Sequence, residues 1–244
     1  LSRDTIAAFE KAIRDSGIAA PLFITQNDGT VAEASQARRL PVYSFASGAT
    51  NSMRGAAYLS GLSDAMVIDV GGTTTDVGQL KNGFPREANS VVKVGGVRTL
   101  FRMPDLLSIG LGGGSHVQLD PLKVGPISVG YRLLRDGIAF GGKQLTTTDV
   151  AIAAGVLTLG DRAKVAHLDA ATCKKVFAEA ARLSEEAIDR MKTEAGDVPL
   201  IAVGGGAFLI PEKLPGVSKV IHVQHGDCAN AVGAAIAQVS GECD

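Results

Sequence analysis

The 244 residues are 45% hydrophobic and 20% charged with a net charge of −1, a soluble globular balance with enough apolar material for one large domain or two small ones. Near-neutral charge without a basic stripe, and 5% aromatics with no Trp, argue against a nucleic-acid surface, which needs cations and stacking platforms. Cys173, Cys228 and Cys243 form no CxxC, no apolar run approaches the roughly twenty residues of a membrane helix, and no signal peptide is visible. The expectation is a cytoplasmic protein without a membrane partner, in a reducing compartment.

The chain opens at Leu1 directly into helix-like sequence, which suggests a piece of a longer protein. Ile6, Phe9 and Ile13 at helical spacing predict a helix over Arg3–Ser16, ended by Gly17. Pro21–Thr25 reads as a strand, Asn27-Asp28-Gly29 as a turn, Val31–Arg39 as a short polar helix and Pro41–Phe45 as a second strand. Ser47–Ser52 then leads into a helix, Arg54–Leu59, with a face of small residues.

The run Val67-Ile68-Asp69-Val70-Gly71-Gly72-Thr73-Thr74-Thr75-Asp76-Val77-Gly78 reads as strand, loop, strand, with Asn82-Gly83 as the next turn. Glycines let backbone N–H groups face an anion without a Cβ in the way, threonines add hydroxyl donors, and two carboxylates suit a hydrated Mg²⁺. A tight hairpin with a polar tip fits the same letters. An acid at the end of an apolar run, however, needs a partner.

Further on, Ser90–Val94 alternates as a strand, Ile109–His116 forms a second glycine cluster, and Lys123–Tyr131 holds short extended segments. Thr148 or Asp149 is placed to cap the helix beginning at Val150. Val176, Phe177, Ala180, Leu183, Ala187 and Ile188 line one stripe of the longest helix, about Asp169 to Lys192. Leu200–Val203 is a buried strand running into Gly204-Gly205-Gly206, the third glycine cluster. Val220–Val223 is another strand, and Asp227 can cap a final small-residue helix over Ala229–Ile236. The result is an α/β chain with a mixed sheet.

Three glycine clusters at strand ends point to a ligand, because loops gather there in open α/β sheets. Two nucleotide motifs fail: Gly141-Gly142-Lys143 is followed by Gln144 rather than Ser or Thr, and Gly110-Leu111-Gly112 meets Ser115 where a dinucleotide fingerprint needs Gly.

Taken together, SGATNSMRGAAYLSG (47–61), VIDVGGTTTDVG (67–78), SIGLGGGS (108–115), LTTTDVAIAAG (145–155), VGGGA (203–207) and ANAVGAA (229–235) resemble the hydantoinase A/5-oxoprolinase branch of the actin-like ATPase superfamily in order and spacing. The resemblance implies an α/β actin-like ATPase (ribonuclease H-like) fold, a mixed sheet flanked by helices. It also implies that residues 1–244 are the C-terminal lobe of a longer subunit, whose first phosphate hairpin lies upstream. Two departures stand inside the matched region. Ile127–Asp136 replaces a proline- and cysteine-containing segment, and His116 stands where a small apolar residue is usual.

The resemblance implies ATP and Mg²⁺ as cofactors, with an amide or carbonyl activated by phosphorylation before hydrolysis or carboxylation. Asp69 and Asp76 would hold Mg²⁺ or its waters, and Gly71, Gly72, Thr73, Thr74 and Thr75 would cradle phosphates. Gly112, Gly113, Gly114 and Ser115 would form a second phosphate or substrate loop, and Gly204, Gly205 and Gly206 would pass beneath adenosine. Asp149 is a metal ligand or general base, or a helix cap; His116 is an acid–base group, or a surface histidine. The implied partners are a small-molecule substrate, a hydantoinase B-like subunit and a second copy of the chain. A non-catalytic nucleotide-binding module is the alternative reading.

Overall fold

A computed structural model of the chain describes residues 2–88, 93–94, 97–98 and 102–239. Cys243 and the Ser90–Val92 part of one expected strand lie outside them. The chain runs through α1 (Ser2–Asp15), β1 (Phe23–Thr25), β2 (Val31–Glu33), α2 (Ala34–Arg39) and α3 (Ser47–Ser60). Strands β3 (Ala65–Val70), β4 (Thr75–Lys81), β5 (Phe84–Pro85), β6 (Lys93–Val94), β7 (Val97–Arg98), β8 (Leu106–Ile109), β9 (Ser115–Leu119) and β10 (Leu122–Ser128) follow. Then come α4 (Leu133–Asp136), α5 (Thr147–Ala153), α6 (Ala170–Met191), β11 (Val198–Val203), β12 (Val217–His222) and α7 (Ala229–Ala235).

The main sheet is ordered β12-β11-β3-β4-β5, with β8 also on β4. β12, β11 and β3 are parallel, whereas β4 runs antiparallel to β3, β5 and β8. This is the mixed sheet flanked by helices that the sequence implies. β3 is apolar almost throughout because both its faces are covered. Met66, Ile68 and Val70 join the cluster containing Val176, Ala180 and Ile188 of α6. Val67 joins Met53 and Ala56 of α3 on the opposite face. The period-two alternation therefore sends Asp69 and Asp76 to the α3 side.

Asp169 caps α6, its Oδ1 accepting from the Thr172 amide at 2.7 Å, a bond that stabilises a helix by about 1 kcal/mol. The small-residue helices α3 and α7 lie against each other. Backbones approach so closely that a Cβ at Gly55 would overlap the Ala229 carbonyl oxygen, and one at Gly233 the Asn51 carbonyl oxygen. Among the described residues no helix is long and apolar enough to cross a membrane.

Three local expectations differ. Val31–Arg39 begins as β2, whose pairing with β1 claims Val31–Glu33 before the helix starts. Pro41–Ser44 is a 3-10 turn rather than a strand. Buried Asn27 holds it, donating through Nδ2 to the Val42 carbonyl at 3.1 Å and through its amide to the Tyr43 carbonyl at 2.6 Å. Asp227 sits in a 3-10 turn and does not cap α7, whose N-cap position is Cys228 with no side-chain bond.

Candidate functional site

The β3–β4 register sets Val70 against Thr75 and leaves Gly71–Thr74 as the connecting loop, closed by the Gly71 amide donating to the Thr74 carbonyl at 2.9 Å. Gly72, Thr73 and Thr74 are exposed, and among the described residues their amides have no backbone carbonyl partner. The tip of the hairpin thus faces solvent. Thr75 differs: it is fully buried and its hydroxyl donates to the Leu111 carbonyl at 2.7 Å. Two of the three threonines stand at the tip, and the third holds the loop in place.

Asp69 and Asp76 are direct partners across the ladder, which places their side chains on one face. Burial pushes the Asp69 carboxyl above its ordinary range, a hydrogen bond from Ser52 opposes that, and the Asp76 charge adds to the rise. Ser52 is buried on α3 and also accepts from Asn230 Nδ2 of α7 at 3.3 Å. On the other strand the Ser108 hydroxyl donates to Asp76 Oδ1. A cation would relieve the repulsion between the two acids. Among the described residues no group of three or more His, Cys, Asp and Glu could hold a metal; the two carboxylates are an oxygen donor set of the kind that holds a hydrated Mg²⁺ through its waters.

The other glycine clusters close on this same loop. Val203 pairs with Asp69, so β11 delivers Gly204 beside the acid. Gly204 has φ +88°, and a Cβ there would collide with Asp69 Oδ1. Gly206 donates to the Val70 carbonyl at 2.7 Å, while Gly205 between them is exposed with open space above it. From the opposite side, a Cβ on Gly112 would stand 2.7 Å from Gly72 C and Thr73 N. Only glycine lets these three backbones meet.

The Gly112–Ser115 loop does not present the expected donors. Gly113 donates to the Gly71 carbonyl at 3.0 Å, Gly114 to the Gly72 carbonyl at 2.7 Å, and Ser115 to the Gly112 carbonyl at 3.1 Å. The Gly112 amide donates to the buried Ser115 hydroxyl at 2.9 Å. All four amides are spent inside the protein, so the segment buttresses the hairpin tip.

Asp149 is also turned inward. Thr146, not Thr148 or Asp149, caps α5, and Asp149 completes the capping box. Its carboxylate is fully buried and accepts from the Thr146 amide and hydroxyl, both at 2.8 Å, the Ala139 amide at 2.8 Å and the Ile138 amide at 3.2 Å. Full burial and four inward bonds, three on Oδ2 and one on Oδ1, turn the carboxylate away from any ligand at the surface. His116 is half-buried on β9 and bridged to Thr146. Neither residue joins the Asp69–Asp76 pair.

Ser52, Ser108 and Asn230 were missed as site residues. The signal was faint: a hydroxyl and an amide on small-residue helices, and a serine opening the second glycine stretch.

Among curated proteins no sequence matches this chain significantly. Several solved structures match this chain, two of them as follows. Acetone carboxylase, in a nucleotide-free structure from work on ATP-dependent acetone carboxylation, matches at TM-score 0.79 and 21% identity over 97% of this chain. The ATP-dependent caprolactamase of Pseudomonas jessenii matches at TM-score 0.60 and 18% identity, again over 97% of this chain. The chain spans only 38% and 39% of their respective lengths. Residues 1–194 match the Hydantoinase/oxoprolinase family description, and with most of its length so covered the chain belongs to the hydantoinase/oxoprolinase family.

Proposed function

We propose that the chain forms one lobe of an ATP-dependent enzyme acting on a cyclic amide or related carbonyl compound. The carrying observation is the Gly71–Thr74 loop, whose exposed tip stands beside paired carboxylates while two other glycine segments pack closely against it. In this reading the amides of Gly72, Thr73 and Thr74 and the hydroxyls of Thr73 and Thr74 bind phosphate oxygens. Asp69 and Asp76 hold the waters of Mg²⁺, which supplies charge neutralisation to phosphoryl transfer. Gly204–Gly206 give a flat passage for adenosine beside Asp69.

The chemistry needs positioning more than protein covalency. The amide oxygen bonds to the terminal phosphorus as the bond to the ADP bridging oxygen breaks, and the amide N–H proton passes to solvent. Water then adds at the activated carbon, its protons passing to the ring nitrogen as the C–N bond breaks; this frees the amine and leaves an acyl phosphate, which a second water hydrolyses to the carboxylate and inorganic phosphate. Support for a carbonyl acceptor comes from the two fold relatives, one an ATP-dependent acetone carboxylase and one an ATP-dependent caprolactamase. The first phosphate hairpin would come from sequence beyond these 244 residues, in keeping with the share of the relatives' length that the chain spans.

The test is ADP release by the full-length protein, with and without ε-caprolactam, hydantoin, 5-oxoproline or acetone. Turnover stimulated by one of these supports the enzyme reading. Nucleotide binding with no stimulated turnover points instead to a non-catalytic ATPase module.

A further inference from the structure

We propose that the lip Ser128–Leu134, led by Tyr131, is the acceptor-selecting surface and takes a neutral, planar amide or ketone. The inference rests on the nucleotide reading above and extends it to residues that reading does not use.

The two sides of the hairpin tip are unlike. Gly204 and Gly206 meet the start of the loop, at Asp69, Val70 and Gly71. The end of β10 meets its middle through the Ser128 hydroxyl, which donates to the Gly72 carbonyl at 3.3 Å, while the next residue, Val129, donates to the Gly114 carbonyl of the buttressing segment at 2.9 Å. Gly130, at φ +56°, comes so near that a Cβ there would stand 3.7 Å from Thr73 Oγ1. A nucleotide laid with adenosine over Gly204–Gly206 therefore directs its terminal phosphate toward Gly130, and the acceptor must approach from that side.

Tyr131 follows immediately and is 97% exposed; Leu134 is 73% exposed. An aromatic ring this exposed, one residue on from the glycine that stands near Thr73, is a ready stacking face for a flat carbonyl group. Arg132 and Arg135 already share Asp136 at 3.4 and 2.7 Å, so neither guanidinium lacks a carboxylate. What the lip offers is an apolar surface with engaged cations, which favours a neutral acceptor over a carboxylate.

The test is calorimetric titration of ε-caprolactam and of acetone into full-length protein saturated with Mg²⁺ and a non-hydrolysable ATP analogue, for wild type, Tyr131→Phe and Tyr131→Ala. At least one probe should bind wild type, Tyr131→Phe should keep that affinity, and Tyr131→Ala should weaken it about fivefold to tenfold. Unchanged affinity in Tyr131→Ala, or no binding of either probe by protein that holds the analogue, overturns the proposal. Protein that is folded yet binds no analogue overturns the nucleotide reading beneath it, a different and separately visible result.

Discussion

Asp69 stands directly across from Asp76, one at the exit of β3 and the other near the entry of β4, with the open Gly71–Thr74 loop between them. Among the described residues neither acid has a cationic side chain bonded to it; their hydrogen-bond partners there are Ser52 and Ser108. Such a pair stores repulsion that a divalent cation removes.

That repulsion has a sign that can be measured. The Asp69 carboxyl is raised in the folded state, first by burial and then by the Asp76 charge. The stability it contributes is full below the unfolded pKa of about 3.9 and is lost as pH rises through the folded value. In metal-free buffer, Asp69→Asn should match wild type in urea near pH 3.5 and unfold at higher urea than wild type at pH 7. Added Mg²⁺ should raise the wild-type midpoint and leave the variant unmoved.

Gly72 and Gly112 separate binding from folding. A Cβ at Gly72 meets nothing within 4 Å, so Gly72→Ala should keep its stability within about 0.5 kcal/mol while losing ATP, because the methyl enters the phosphate space. Gly112→Ala drives a Cβ into the backbone of Gly72 and Thr73 and should lose about 1 to 3 kcal/mol of stability in urea unfolding. Equal effects from the two would contradict the buttress role of the Gly112–Ser115 loop.

Asp149→Ala removes the acceptor of four buried donors and should destabilise by about 2 to 4 kcal/mol, read from the urea midpoint. A metal or general-base role would instead give a stable protein with no turnover. The two outcomes separate cleanly.

Gly55 and Gly233 govern the α3–α7 contact that carries Ser52 and Asn230 to the site. Alanine in a helix is ordinarily favoured over glycine by about 1 kcal/mol. Here each substitution should cost about 1 to 3 kcal/mol, since the methyl overlaps a partner carbonyl. The double variant should lose less than the sum, because the first methyl already parts the helices.

Much of this was legible in the letters. The apolar runs of Val67–Val70 and Leu200–Val203, the helical stripe of α6 and the Asn82-Gly83 turn, with φ of 53° and 77°, each encode their own geometry locally. The meeting of three glycine clusters was foreshadowed by their places at strand ends. Less legible was the direction of each amide: nothing in GLGGGS says that its N–H groups turn inward to Gly71 and Gly72. Pro41–Ser44 looked extended because its capture by Asn27 is a tertiary event. Ser52 and Asn230 meet across 178 residues, a pairing that no local pattern records.

The most direct measurement is titration of Mg·ATP into the full-length protein and its Asp69→Asn variant, each first shown to be folded. The account predicts binding by wild type and at least about a tenfold loss in the variant, corresponding to about 1.4 kcal/mol. Folded wild type that takes up no Mg·ATP, or a variant that binds it equally well, would contradict the assignment of Gly71–Thr74 and its flanking acids to the phosphates.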